Sequence, residues 1–278
     1  MGGKKNKANI LVNLLNEINL RYYMERKEVG ENIVKKAGKI LLEYFEKENV
    51  VKNKGKRDFV LDADFEAEKL ILNTLQKEFP QDSILSEESD EIRGNSGYRW
   101  VVDPLDGTAN FKARIPYFCV SIGLEKEGKL TMAFVYNPIA DDFYFSEKNK
   151  GAFLNGKRIK VSSTKQLIKF LISYSTSNHK TPKVIELGAN SFRKILDNCR
   201  AIRLRGSSIL DLCNLANGVF DGLIKVGASY WDFAPGCLII EEAGGKVTDF
   251  EGKKWSSKTK NLLASNGIRH EELLKILK

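Results

Sequence analysis

The sequence predicts an α+β protein of two tightly joined halves, residues 1–150 and 151–278. Three observations lead there. Apolar residues recur at helical spacing over about the first 80 residues. Short apolar and aromatic runs separated by turn residues follow, to about residue 154. Helical and strand-like patterns then alternate after about residue 165, with no internal repeat and no linker rich in Pro or Ser.

Taken in order, residues 8–49 read as helical through Ile10, Leu11, Leu14, Leu15 and Ile18, then Ile33, Ala37, Ile40, Leu41 and Phe45. Gly30 and Gly38 are expected to interrupt or end a helix there. Lys52 to Arg57 form a basic loop. Asp64 to Phe79 return to helical period, and Pro80 ends that helix. Ser83–Ser86 and Tyr98–Val102 look like short buried strands. Phe118–Leu124 and Leu130–Tyr136 are strands joined by a turn at Glu127-Gly128, and Asn155-Gly156 marks a hairpin. Later, 187–198, 208–218 and 234–244 read as helices and 223–226 as a strand.

Composition narrows the function classes. Of 278 residues 42% are hydrophobic and 29% charged, which is ordinary globular composition. A net charge of +9 favours anionic partners: nucleic acid, acidic membrane or phosphorylated metabolites. Cys119, Cys199, Cys213 and Cys237 show neither zinc-ligand spacing nor a disulfide framework, so packed thiols in the cytoplasm are expected. Two histidines, His179 and His270, supply a Ser-His-Asp triad poorly. No apolar run is long enough for a membrane span, and neither a signal peptide nor a myristoylation pattern is expected at the start.

The informative feature is acidic. Glu87-Glu88 follows one strand-like run, Asp103-Pro104-Leu105-Asp106-Gly107-Thr108 follows the next, and Trp231-Asp232 precedes a late helix. Carboxylates behind buried strands need a partner, and few basic residues flank these positions. A divalent cation answers that need. Glu87, Asp103, Asp106 and Asp232 offer only hard oxygen ligands, which suits Mg2+ or Mn2+ rather than Zn2+. The Leu105 carbonyl could turn to the same side. Gly107 lacks a Cβ, so its N–H can approach an anion, and Thr108 to Asn110 would open a helix favourable to phosphate. Metals beside a phosphate cradle are the skeleton of phosphoryl transfer. Taken singly, each piece also reads as a cap, a turn or a solvated pair.

These residues carry a resemblance. Asp103-Pro104-Leu105-Asp106-Gly107-Thr108-Ala109-Asn110-Phe111 resembles the first signature of the inositol monophosphatase family. Trp231-Asp232-Phe233-Ala234-Pro235-Gly236, with Glu242-Ala243-Gly244-Gly245, resembles the second. The likeness runs from about residue 30 to the end of the chain. It implies a layered α-β-α-β-α sugar-phosphatase fold and a Mg2+-dependent, lithium-sensitive phosphoric monoester hydrolase with two or three ions, commonly a homodimer. The same superfamily includes archaeal-type fructose-1,6-bisphosphatases and 3'-phosphoadenosine phosphatases. By the resemblance, Glu87, Asp103, Asp106, Asp232 and the Leu105 carbonyl are metal ligands. Most of these lie in the first half, and the last ligand and the substrate segment lie in the second. Gly107 and Thr108 hold the phosphate, Asp64 pairs with the Thr108 hydroxyl to activate water, and Glu88 and Lys54 support the site. Asp64 also reads as a helix N-cap.

For the substrate, Gly206, Ser207 and Ser208 resemble the family's substrate segment, with helix capping as the alternative role of the serines. Inositol-preferring members carry an acidic residue seven positions before the W-D aspartate. Here that position is Lys225, which suits a second phosphate or is a surface lysine on a strand edge. Ser86 stands where the family usually has Gly, and is expected to be tolerated. The expected substrate is inositol 1-phosphate, with fructose 1,6-bisphosphate and 3'-phosphoadenosine 5'-phosphate as alternatives. The basic segments 4–7, 52–57 and 253–260 leave RNA or a transcription complex as a non-enzymatic alternative, as some bacterial members of the family are thought to use.

Overall fold

The computed structural model describes residues 2–45, 51–53, 59–177 and 181–278. In chain order the elements are α1 (Gly2–Phe45), β1 (Val51–Asn53), β2 (Phe59–Leu61), α2 (Asp62–Glu78), β3 (Ser83–Ser86), β4 (Tyr98–Asp106), α3 (Thr108–Lys112), β5 (Cys119–Lys126) and β6 (Lys129–Asn137). Then come β7 (Asp142–Glu147), β8 (Gly151–Leu154), β9 (Lys157–Arg158), β10 (Leu171–Thr176), α4 (Pro182–Asn198) and β11 (Ala201–Arg203). The chain closes with α5 (Ser208–Ala216), β12 (Gly222–Val226), α6 (Ala234–Glu242), β13 (Lys246–Asp249), β14 (Asn261–Ser265) and α7 (His270–Leu277).

Two sheets organise these elements. Strands β3 to β9 form a seven-stranded sheet in chain order, antiparallel except where β3 runs parallel to β4. The second sheet has five strands in the order β11-β10-β12-β14-β13, so β12 is central. Helices α1 and α2 pack on one face of the first sheet. Helices α5 and α6 lie between the sheets, and α4 and α7 cover the outer face of the second. This is the layered α-β-α-β-α architecture expected above. Each interlayer space holds its own apolar cluster, with Phe134 and Trp100 in one, Phe233 and Leu212 in the next, and Phe170 and Leu273 in the last.

The expectation that Gly30 and Gly38 break the first helix is corrected. Helix α1 runs through both. A Cβ on Gly30 would lie 2.7 Å from Phe134 Cε2, and one on Gly38 would lie 2.5 Å from Tyr136 Cδ1. Both aromatic rings stand on β6, so the glycines let the helix backbone seat closely on the sheet. The signal lies in β6, about 100 residues away, where local periodicity cannot reach it. Of the expected basic loop, Lys52 and Asn53 belong to β1, which pairs antiparallel with β2, and residues 54–57 lie outside the described residues. Helix α4 starts five residues before the expected 187. Thr181 caps it by accepting a hydrogen bond from Val184 N at 3.3 Å, and Pro182 takes the first turn. The turns at Glu127-Gly128 and Asn155-Gly156 both have positive φ at each residue, as tight hairpins require.

Strand β4 differs most usefully from expectation. It does not stop at Val102 but continues to Asp106. Asp103 pairs with Ser121 and Asp106 with Cys119, so two residues of β4 face one of β5 in a bulge. Its pairing with β3 ends at Val102, so Pro104 sits where the β3 side asks for no N–H.

Replacing Gly38 by Ala should destabilise the protein by about 1–3 kcal/mol, because the clash with Tyr136 outweighs the ~1 kcal/mol helix-propensity gain. Chemical denaturation measures it; an unchanged or higher midpoint would contradict the close-packing role.

Candidate active site

The bulge in β4 and the parallel neighbour β3 bring the first acids together. Glu87 leaves the end of β3 with its N–H donating to Val102 O at 3.2 Å, which sets it beside Asp103. Asp232 arrives from the other half, in the turn before α6. There its Oδ2 accepts from Ser229 N at 2.9 Å. Glu87, Asp103 and Asp232 each offer a carboxylate oxygen, and these oxygens lie within 4.8 Å of one another. Asp103 is 1% exposed. Burial comes first in holding its carboxyl well above the ordinary carboxylate range, and the charges of Glu87, Asp106, Asp232 and Asp64 add to it.

Asp106 is placed differently from its neighbours. The N-terminus of α5 points at it. Ser207 Oγ and Ile209 N donate to its Oδ2 at 2.5 and 2.8 Å, and Ser208 N donates to its Oδ1 at 3.3 Å. Its carboxyl is still raised, by burial first, while Ser207, Lys225 and Ile209 pull the other way. So Asp106 joins the first signature to residues 207–209, and it stands outside the close acidic trio. The alternative expected for the serines, helix capping, is half realised. Ser207 occupies the N-cap position of α5, yet its hydroxyl serves Asp106.

Asn110, quoted only as part of the signature, reinforces that joint. Its Nδ2 donates to Tyr117 O at 2.8 Å and to Arg205 O at 2.7 Å. Gly206 has φ +83° and presses on the same side chain, where a Cβ would come within 2.7 Å of Asn110 Oδ1.

The Gly107-Thr108 turn opens toward the cleft. Gly107 adopts φ 100°, which a residue with a Cβ rarely takes, and Thr108 opens the short helix α3. The Thr108 hydroxyl gives its one proton to the Leu105 carbonyl at 3.0 Å. Asp64 lies in the first turn of α2 rather than ahead of it, 1% exposed, near enough to add its charge to Asp103. Behind the trio, Ser86 and Ser89 donate to Glu68 Oε1 at 2.5 and 3.0 Å. The departure from glycine at Ser86 thus gains a partner on α2. Glu88 is half-buried after β3, and Lys54 lies outside the described residues.

Two corrections concern charge. Lys225 is no surface lysine on an edge. It lies on the central strand β12 and is 6% exposed. The acids, moreover, do have a basic neighbour. Lys225 Nζ is 3.0 Å from Ser208 Oγ, 3.3 Å from Ser175 Oγ and 3.7 Å from Asp232 Oδ2. An ammonium has three protons, and three acceptors surround this one.

Glu87, Asp103, Asp106, Gly107, Thr108, Ser208, Lys225 and Asp232 line one open cleft of about 190 Å3. Its walls also include Ser175, Thr176, Ser177 and Ser229, which the sequence reading missed, and Trp231, quoted there only as part of the second signature. The three-hydroxyl run ends β10, which is parallel to β12, and such strand ends commonly form binding crevices. That signal was present at Ser173 to Ser177 but needs the strand order to be used. All four cysteines are buried and free, and Cys119 Sγ lies 3.9 Å from Asp106 Oδ2.

Comparison with known proteins agrees with the geometry. A model of the inositol monophosphatase family matches residues 24–278. The chain is 37% identical over 255 residues to Inositol monophosphatase 3 of Solanum lycopersicum, covering 90% of this chain and 95% of that one. It is 37% identical over 241 residues to the Nus factor SuhB of Escherichia coli K12, covering 86% and 90%. Among solved structures, the extragenic suppressor protein suhB from Bartonella henselae superposes with a TM-score of 0.86 at 37% identity, covering 91% and 98%.

The raised carboxyl of Asp103 sets a pH dependence. A folded carboxyl above its unfolded value holds its proton more tightly when folded, so metal-free stability falls as pH rises past the ordinary carboxylate range. A divalent cation should therefore raise Tm more at about pH 8 than at about pH 5. In Asp103→Asn the metal-free protein should melt above wild type at about pH 8, and the cation should add little. Equal melting of the two metal-free proteins at both pH values would refute this.

Proposed function

The chain belongs to the inositol monophosphatase family, and from that premise we propose that it is a Mg2+-dependent phosphomonoesterase acting on a small phosphorylated polyol or sugar, inositol 1-phosphate first. The observation that carries this reading is the meeting of Glu87, Asp103 and Asp232 on the cleft wall beside Gly107. The donor set fits the ion. It is three carboxylates without thiolate or imidazole, concentrated where burial makes uncompensated negative charge costly.

Glu87, Asp103 and Asp232 would hold the ion, with the second lone pair of the Leu105 carbonyl beside them. Bound there, a divalent ion supplies Lewis-acid activation of water and offsets the charge of the phosphate dianion. The remaining work belongs to the chain. The N–H groups of Gly107 and Thr108 hold phosphate oxygens, as the open left-handed turn allows. Asp64 accepts the proton of the attacking water, and the Thr108 hydroxyl orients that water once it turns from Leu105. Asp106 keeps the α5 N-terminus, and with it Ser208, at the cleft. The hydroxyls of Ser208, Ser175 and Thr176 suit a polyol, since each can donate and accept.

Lys225 bears on the choice of substrate. A bisphosphate would need its ammonium, yet that group already has three acceptors from the chain itself. A monophosphate polyol therefore fits better than fructose 1,6-bisphosphate or 3'-phosphoadenosine 5'-phosphate. The cytoplasm is the proposed location. In keeping with that, the cysteines are unpaired and no helix among the described residues is long and apolar enough to cross a membrane. A homodimer is also proposed, with exposed Ile115 and Leu204 offering an apolar face. The resemblance to a Nus factor supports a second reading, RNA or transcription-complex binding. RNA retention that weakens with salt and survives Asp103→Asn would favour it.

Phosphate release should require Mg2+, and inositol 1-phosphate should give the highest kcat/KM among itself, fructose 1,6-bisphosphate, 3'-phosphoadenosine 5'-phosphate and glycerol 2-phosphate. Glu87→Gln should lower turnover about a hundredfold or more without lowering Tm. A fructose 1,6-bisphosphate preference would return Lys225 to substrate binding, and wild-type turnover in Glu87→Gln would remove the ion from the trio.

A further inference from the structure

Lys225 stands inside the carboxylate cluster rather than at its rim. Its Nζ faces Asp232 Oδ2 at 3.7 Å and Ser208 Oγ at 3.0 Å. Ser208 Oγ lies in turn 3.4 Å from Asp106 Oδ1. The ammonium thus links the carboxylates of Asp232 and Asp106 through a single hydroxyl. Ser175 Oγ, at 3.3 Å, is its third acceptor. A divalent ion shared by Asp106 and Asp232 would lie close to this fixed positive charge. Like charges that close repel strongly where water is scarce. On Asp106, Ser207 and Ile209 donate to Oδ2, which leaves Oδ1 turned to Ser208 and the ammonium beyond it.

We propose that Lys225 is a resident cation of the metal centre, standing between Asp232 and Asp106 in place of a second divalent ion, so that the protein without substrate takes up one divalent ion at Glu87, Asp103 and Asp232. This rests on the reading that those three acids bind a divalent cation. A further ion then enters only with the substrate, whose phosphate oxygens bring both ligands and negative charge. The expected two or three ions become a property of the loaded site.

Isothermal titration of the full chain with MnCl2 in phosphate-free buffer counts the ions directly. Wild type should bind one per chain. Lys225→Met should bind two, the second at least about tenfold more tightly than any second ion on wild type. Lys225→Gln is a second neutral variant that keeps a polar group toward Ser208, and it should behave alike. Two ions on wild type would overturn the proposal, and so would variants that bind as wild type does. No Mn2+ uptake by any of the three proteins would remove the metal reading itself, and this inference with it.

Discussion

Asp103 is a buried carboxylate surrounded by other carboxylates, and much of the architecture serves to place it there. A lone charge so buried would be costly, and four acidic neighbours make it more so. Such a cluster either holds protons or is matched by a compensating cation. Part of the compensation is built in: Lys225 faces Asp232, and the first N–H groups of α5 face Asp106. The rest is what a divalent ion at Glu87, Asp103 and Asp232 would supply. Each half of the chain contributes one side, so the site exists only while both sheets hold their places.

The means of assembly are ordinary packing devices. One extra residue in β4 turns Asp103 and Asp106 to different neighbours. A parallel pairing carries Glu87 alongside Asp103. Asn110 and Gly206, fitted against each other, fix the substrate segment to the first signature. On the far side, Gly30 and Gly38 let α1 sit directly on Phe134 and Tyr136, which steadies the sheet that carries the acids.

What the sequence disclosed was local. The helix of α2, the hairpin turns at Glu127-Gly128 and Asn155-Gly156, and the acids behind short apolar runs all declare themselves within a few residues. The trio of Glu87, Asp103 and Asp232 was among the expected ligands, and it is the group the fold brings together. What stayed hidden depends on distant partners. The bulge in β4 depends on its register with β5, and the continuity of α1 on rings of β6. The burial of Lys225 depends on the order of strands around β12, and the use of Ser175 to Ser177 on the same order. Thr181-Pro182 is different, because a capping residue followed by proline is a local helix start that was readable and was missed.

The proposed chemistry of the cleft depends on where a divalent ion binds. Crystals grown with Mn2+ and measured for anomalous scattering locate it without reference to activity. The account predicts a strong peak within bonding distance of carboxylate oxygens from Glu87, Asp103 and Asp232 together. A well-diffracting crystal with no peak there, or with its only ordered Mn2+ away from the cleft, would contradict it.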